Sequence, residues 1–260
     1  MPYRPFDLTG HVALVTGGNR GIGLGMAGAL AQAGADVAIF GRDSRQNEVA
    51  AASLREHGTR IRSRVVDVGI EEQVLAAVAA TVADLGRVDS VFANAGIGGP
   101  SVPFVDLTTD SYRQVLRVNL DGAFWTLRSA ARHMVDRAAA GDPGGSLVGI
   151  ASLAAIDGFP RHQGYAASKS AVLAMVKATA VELARYGIRA NTIAPGWVAT
   201  EMTAAAQQDA KVGQKVLPRI PARRWGEPAD FGGLAVYLAS SASAYHTGDV
   251  FVVDGGYSIF

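Results

Sequence analysis

The sequence predicts an α/β domain, a doubly wound, seven-stranded parallel sheet held between helix layers. Three observations carry that expectation. Short apolar runs alternate along the chain with longer stretches of helical apolar period. A glycine-rich segment comes after the first apolar run and leads into the first helical stretch, as in a strand–turn–helix unit. The 260 residues, 49% hydrophobic and 18% charged, suit one globular domain (1–260) with a large core, and no repeat, low-complexity tract or linker divides it.

His11–Thr16 is a buried strand ending in glycines, and Met26–Ala33 a helix. Gly34-Ala35-Asp36 turns the chain into a second strand, Val37–Phe40. Asn47–His57 reads as a helix, Ile61–Val66 as strand three and Glu71–Leu85 as a helix of strong apolar period. Val88–Ala93 is strand four. Asp110–Ala139 is one long helical pattern with Thr108 or Thr109 as its cap, broken by Asp142-Pro-Gly-Gly before strand five, Ser146–Ala151. A helix over Ala166–Tyr186 precedes strand six, Ile188–Ala194, which Pro195-Gly196 stops. An irregular stretch, 197–226, holds Gly213, Pro218 and Pro221 between short helical patterns, as a lid over a substrate would. Pro228–Ser240 is the last helix and Asp249–Val253 the seventh strand.

Bulk chemistry excludes several functions. A net charge of +1 points to no polyelectrolyte partner, so neither nucleic acid nor an acidic membrane surface is expected. With no cysteine there is no disulfide, thiolate nucleophile or thiolate metal site, and no metal is expected. The first residues lack the apolar core of a signal peptide, and no apolar run reaches membrane-spanning length. A cytoplasmic location is the expectation.

Candidate chemistry centres on Gly164-Tyr165-Ala166-Ala167-Ser168-Lys169. Tyr165 and Lys169 stand four apart, on one helix face one turn apart. A phenol near pKa 10 is too weak an acid for proton transfer near pH 7, and an ammonium beside it favours the phenolate. Bringing that pKa to about 7 takes roughly 4 kcal/mol, about the worth of one unit charge ~4 Å away at an effective dielectric near 20. Tyr165 is therefore a candidate general acid/base. A second candidate site is Thr16-Gly17-Gly18-Asn19-Arg20-Gly21-Ile22-Gly23, whose glycines let backbone amides approach a pyrophosphate at a helix N-terminus.

With this loop, Asn94-Ala95-Gly96 after strand four, Ser152 after strand five and the Tyr165/Lys169 pair, the chain resembles the short-chain dehydrogenase/reductase family from about Leu8 to Gly256. Thr16 to Gly23 satisfies the family's T-G-x-x-x-G-x-G motif, and Ser152 lies thirteen residues before Tyr165, the family's usual spacing. The resemblance implies a Rossmann fold and a catalytic set of Asn119, Ser152, Tyr165 and Lys169. Ser152 would bond the substrate carbonyl oxygen, and Lys169 the nicotinamide ribose as well as tuning Tyr165. Asn119 would anchor a water linking Lys169 to solvent, or else cap a kink in its helix. For the cofactor, the resemblance implies Thr16, Gly17, Asn19, Arg20, Gly21, Ile22 and Gly23 at the phosphates, with Asp67 and Val68 at the adenine. It further implies Asn94, Ala95 and Gly96 under the ribose, and Pro195, Gly196, Val198 and Thr200 near the carboxamide, alongside Tyr165 and Lys169.

Strand two ends at Gly41 with no acid for a ribose diol, Arg42 is placed to meet a 2′-phosphate, and the resemblance implies a second basic residue for NADP at the position of Arg20. NADP(H) is therefore the expected cofactor. NAD(H) stays open, with Asp43 as the acid if the strand runs further. Leu153, Ala154, Phe159, His162, Trp197 and Met202 should bound the substrate pocket, and Arg161, His162, Arg219, Arg223 and Arg224 are possible partners for an anionic substrate. Within the family, the chain is similar to bacterial gluconate/2-deoxygluconate dehydrogenases and 3-oxoacyl-carrier-protein reductases. The expected activity is NADP(H)-dependent interconversion of a secondary alcohol and a ketone, with a sugar acid as substrate. Alternatives are 3-oxoacyl-carrier-protein reduction, an NAD-dependent sugar-acid dehydrogenase, and a non-enzymatic dinucleotide-binding scaffold. Relatives also imply self-association as a homotetramer.

Overall fold

Successive residues of the first apolar run point into different cores. Val12 and Leu14 pack on one side of the sheet, Ala13 and Val15 on the other, all within 1% of full burial. A sheet covered on both faces needs strands that are apolar throughout, which is why the strands read as continuous runs rather than alternating ones. The computed structural model describes residues 4–260. Its strands are β1 (Val12–Thr16), β2 (Asp36–Gly41), β3 (Ile61–Val65), β4 (Ser90–Ala93), β5 (Gly145–Ile150), β6 (Ile188–Pro195) and β7 (Val250–Val253). They form one seven-stranded sheet in the order β3-β2-β1-β4-β5-β6-β7, every pair parallel.

The helices are α1 (Gly21–Gln32), α2 (Ser44–Arg55), α3 (Glu71–Leu85), α4 (Thr109–Leu116), α5 (Gly122–Ala139), α6 (Gln163–Leu183), the short α7 (Ala204–Gln208) and α8 (Ala210–Val216), and α9 (Gly232–Ala239). Buried residues of α3, α5 and α6 share one core, and those of α1, α2 and α9 the other.

Beyond shifts of two or three residues at element ends, three departures from the sequence-based expectation stand out. Helix α1 begins at Gly21, not Met26, so the last motif glycines lie in its first turn. Glycine is a poor helix former, but tertiary packing decides here: a Cβ at Gly25 would come within 2.3 Å of the Pro228 carbonyl oxygen. The long pattern Asp110–Ala139 is not one helix. Capped by the Thr108 side chain, α4 runs into a π-helical turn, Arg117–Asp121, before α5 resumes. Such a turn adds one residue to the ladder and rotates the downstream helix about its axis, and it carries Asn119 inward to 1% exposure. The last helix opens as a 3₁₀ turn, Pro228–Phe231, with a reciprocal cap between Glu227 and Asp230.

The irregular stretch after β6 is fastened at its base. Val198 pairs with Gly226, the Ala199 N–H donates to the Gly226 carbonyl at 2.8 Å, and the Gly226 N–H donates to the Trp197 carbonyl at 2.8 Å. No helix among the described residues is long and apolar enough to cross a membrane.

Candidate active site

Strand order reverses between β1 and β4, and the crevice left at their carboxyl ends is where open α/β sheets bind ligands. A cleft of about 820 Å³ opens there, within the roughly 300–1,000 Å³ usual for small-molecule sites. Its floor is stitched by two side chains. Thr16 Oγ1 accepts from the Asn94 and Ala95 N–H groups at 3.0 Å each, and Asn94 Nδ2 donates to the Thr16 carbonyl at 2.9 Å. Gly23 sits so close beneath the loop that a Cβ would meet the Gly17 carbonyl oxygen at 2.2 Å. The first turn of α1 carries no side-chain cap and no acidic residue, so its N–H groups are free for an anion. These features fit a dinucleotide pyrophosphate.

Most of the residues expected at the cofactor line this cleft: Gly17, Asn19, Arg20, Gly21, Ile22, Gly23, Arg42, Asp67, Val68, Asn94, Ala95, Gly96 and Thr200. Thr16, Tyr165, Lys169, Pro195, Gly196 and Val198 are not in its lining. Thr16 is buried in the stitch, Gly196 donates to Val253 in the sheet, and Val198 is held in its bridge to Gly226. Asp67 Oδ1 accepts from the Gly69 N–H at 2.9 Å, which orients the carboxylate at the cleft edge. Met202, expected at the substrate, instead lines this cleft with Thr200 and Glu201.

Arg20 departs from its expected part, because its guanidinium is bonded to Glu201 across the cleft. Beside it, a Cβ on Gly21 would lie 3.4 Å from Thr200 Cγ2, so the loop after β6 touches the glycine loop. Glu201 carried no signal of its own in the sequence, since the contact joins residues 181 positions apart. Arg42 faces the cleft, exposed, and Asp43 caps α2 by accepting from the Gln46 N–H at 2.9 Å.

Tyr165 and Lys169 lie in the first two turns of α6, facing Ser152 at the end of β5. The half-buried Tyr165 phenol has the Ser152 hydroxyl as its neighbour, whose oxygen accepts from the Ala154 N–H at 3.1 Å. Lys169, 4% exposed, donates from Nζ to the Ile150 carbonyl at 2.7 Å. Burial lowers its pKa from 10.5 to about 8. Burial also pushes the Tyr165 phenol above its ordinary 10.0, with the neighbouring Ser152 hydroxyl pulling the other way. The expectation that the neighbouring Lys169 ammonium brings the phenol towards neutral pH is therefore corrected. Desolvation outweighs every other influence on Tyr165, and the ammonium is committed to a backbone carbonyl.

Asn119 spends its side chain on structure. Its Oδ1 accepts from the Ile97 N–H at 2.8 Å, and its Nδ2 donates to the Ile97 carbonyl at 2.9 Å and to Ser168 Oγ at 3.1 Å. It thus clamps the loop after β4 onto the π-turn. A side chain at Gly96 would stand 3.2 Å from Asn119 Oδ1 and 3.5 Å from Lys169 Nζ, so backbone alone separates the two.

Around the residues expected at the substrate, aromatic rings gather. Phe159 stacks on His162 at 4.7 Å, lies 6.5 Å from Tyr165 and meets Trp197 edge-on at 6.0 Å, while Trp197 meets Trp225 at 5.5 Å. Tyr257, which no sequence motif singled out, joins them 6.4 Å from Trp197. Leu153 and Ala154 are buried behind Ser152. A small crevice beside Tyr165 is lined by Arg161, His162, Gly98 and Tyr112. Of the candidate cations, Arg224 is spent on a two-pronged pair with Asp230 at 2.7 and 2.8 Å, which holds the Asp230 carboxyl at about 2. Arg223 donates to the Pro218 carbonyl, Arg219 lies over the Tyr257 ring at 4.4 Å, and Arg161 holds a left-handed backbone (φ 65°) at the crevice.

The family described as "Enoyl-(Acyl carrier protein) reductase" matches residues 17–258. Gluconate 5-dehydrogenase of Gluconobacter oxydans is 35% identical over 98% of this chain and 97% of its own length. The 5-keto-D-gluconate 5-reductase of Escherichia coli is 35% identical over 96% of each chain. A crystal structure of a gluconate 5-dehydrogenase from Burkholderia cenocepacia J2315, in complex with NADP and tartrate, is 37% identical and superposes with a TM-score of 0.92 over 98% of both chains. Likeness of this extent in sequence and in shape makes the chain a member of the short-chain dehydrogenase/reductase family, an oxidoreductase acting on CH–OH groups.

Proposed function

We propose that this enzyme interconverts a hydroxyl and a ketone on a sugar acid, with NADP(H) as its redox partner. The observation that carries the reading is the grouping of Tyr165 with Ser152 and the buried Lys169, whose ammonium lies just behind Gly96 of the switch-point cleft. The first turn of α1 and the Gly17–Gly23 backbone would hold the pyrophosphate, Asp67 and Val68 the adenine, and Asn94 to Gly96 the ribose floor. Thr200 would face the nicotinamide end. The dinucleotide, when bound, supplies or accepts hydride.

The chain's own residues handle the proton. The Ser152 hydroxyl donates to the substrate oxygen and steadies the charge that builds there. Tyr165 gives that oxygen its proton in reduction and takes it in oxidation. Lys169 holds an exchangeable proton near neutral pH, since burial has brought it to about 8. Asn119 keeps the Gly96–Ile97 loop against Lys169. The stretch 197–226, fastened at its base, serves as the lid.

NADP(H) is supported by Gly41 at the end of β2, by Arg42 beside it, which pairs with no carboxylate among the described residues, and by the NADP-bound relative. A sugar acid is supported by the relatives' gluconate and ketogluconate substrates, and by Arg161 and Arg219, which likewise pair with no carboxylate among the described residues. The family description names reduction of an enoyl thioester, a C=C bond, and the ketone-reducing counterpart, reduction of a 3-oxoacyl thioester, is the one second reading. Assaying 5-ketogluconate against acetoacetyl thioester with NADPH separates them: higher kcat/KM on the sugar acid is expected, and preference for the thioester would install the alternative. Tyr165→Phe should lose about 10²- to 10⁴-fold in turnover while still binding cofactor.

Assembly as a homotetramer belongs to the same proposal. Phe104, Val105 and Phe124 are exposed near the central helices, and Tyr245, Val252, Ile259 and Phe260 towards the chain end, giving two apolar surfaces for two different axes. Light scattering that finds a monomer would reject it.

A further inference from the structure

The end of β2 decides which dinucleotide such a cleft accepts, and here it is built around a buried amide. Asn47, in the first turns of α2, is 1% exposed. Its Nδ2 donates to the Gly41 and Arg64 carbonyls, both at 3.0 Å. Both of its N–H bonds are then spent, so its Oδ1 must accept. Asn19, on the glycine loop, supplies the donor from Nδ2 at 2.8 Å. This fixes the orientation of Asn19 and leaves it one further N–H at the cleft wall. A Cβ added to Gly41 would fall 2.3 Å from both Asn19 Nδ2 and Asn47 Oδ1. Asn19 could swing away from such a side chain, but Asn47 is held by two backbone carbonyls.

We propose that the Asn47–Asn19 pair is the specificity-determining device of the cofactor site, excluding any side chain at position 41, and with it an acid at the strand end, while keeping an Asn19 N–H at the cleft wall beside the Arg42 fork. A ribose 2′-hydroxyl calls for an acceptor, which an acid at the strand end would provide. The pair fills that space, and the nearby Asp43 carboxylate is engaged as the α2 cap. The second Asn19 N–H and the Arg42 fork are donors that suit a 2′-phosphate, which accepts from every oxygen. The inference rests on the NADP(H) reading above.

The test measures dissociation constants of NADPH and NADH by fluorescence quenching, with melting temperatures of the unliganded proteins alongside. Wild type must first bind NADPH more tightly; if it favours NADH, the cofactor reading itself fails. Given that, Asn19→Ala should weaken NADPH about tenfold, as for one charge-assisted hydrogen bond, with NADH held within about twofold. Asn47→Leu should shift the ratio the same way, and the half-buried position 19 keeps the question answerable if that core variant does not fold. Gly41→Ala should lower the melting temperature in wild type and lower it less in an Asn47→Ala background. An unchanged NADPH/NADH ratio in Asn19→Ala, or equal melting losses in the two backgrounds, would overturn the proposal.

Discussion

Lys169 Nζ stands 5.8 Å from the centroid of the Tyr165 ring and 2.7 Å from the Ile150 carbonyl oxygen, so one buried ammonium is tied to the sheet and overlooks the phenol. Because burial holds Tyr165 above 10.0, the phenol is protonated at neutral pH, a ready donor and a poor acceptor. Ketone reduction should therefore keep a level kcat/KM from pH 6 up to about 8 and fall beyond it as Lys169 loses its proton. Alcohol oxidation should climb by up to about tenfold per pH unit over the same range. Parallel profiles in the two directions would contradict this assignment of the proton.

Lys169 also makes stability depend on pH. Its folded pKa, about 8, lies below the ordinary 10.5, so between those values the unfolded chain binds more protons and stability rises with pH. The cost of burying the charge, about 3 kcal/mol at about 1.4 kcal/mol per unit, is present below that window and relieved through it. The difference in melting temperature between Lys169→Met and wild type should be most favourable to the variant near pH 7 and shift towards wild type by about pH 9.5. A difference that does not vary with pH would show that the amine is not desolvated.

The Arg20–Glu201 pair closes over a cleft meant for a polyanion, and both partners are half-exposed, at 52% and 63%. Such a pair contributes about 0–1 kcal/mol to stability. Glu201→Gln should leave melting nearly unchanged yet tighten NADPH by about two- to fivefold, since it frees Arg20 and removes a negative charge from the cleft. The gain should shrink as salt is raised. Weaker NADPH binding by Glu201→Gln would mean that the pair supports the bound state instead.

Two glycines of α1 make a matched contrast. At Gly23 a methyl would strike the Gly17 carbonyl at 2.2 Å and Asn94 Nδ2 at 2.5 Å, whereas at Gly28 it meets only Leu54 Cδ2 at 3.9 Å. Gly23→Ala is expected to cost about 1–3 kcal/mol and to abolish dinucleotide binding, measured by denaturant melts and quenching titrations. Gly28→Ala should stabilise by about 0.5–1 kcal/mol through helix propensity. Equal effects at the two positions would refute the close approach at Gly23.

What the sequence alone determined is the order of strands and helices, the glycine loop, and the presence of Ser152, Tyr165 and Lys169 at spacings that bring them together. Those features are local, or arise from a parallel sheet that buries apolar runs on both faces, so periodicity and motif spacing suffice to read them. Tertiary structure alone decided that a π-turn carries Asn119 inward onto Ile97, that Arg20 meets Glu201, that Met202 joins the cofactor cleft, and that Asn47 fills the space beside Gly41. It also decided that burial, more than the neighbouring ammonium, governs the Tyr165 phenol. Each of these depends on which distant residues the sheet brings face to face and how much water they exclude, and no local pattern in the chain encodes either quantity.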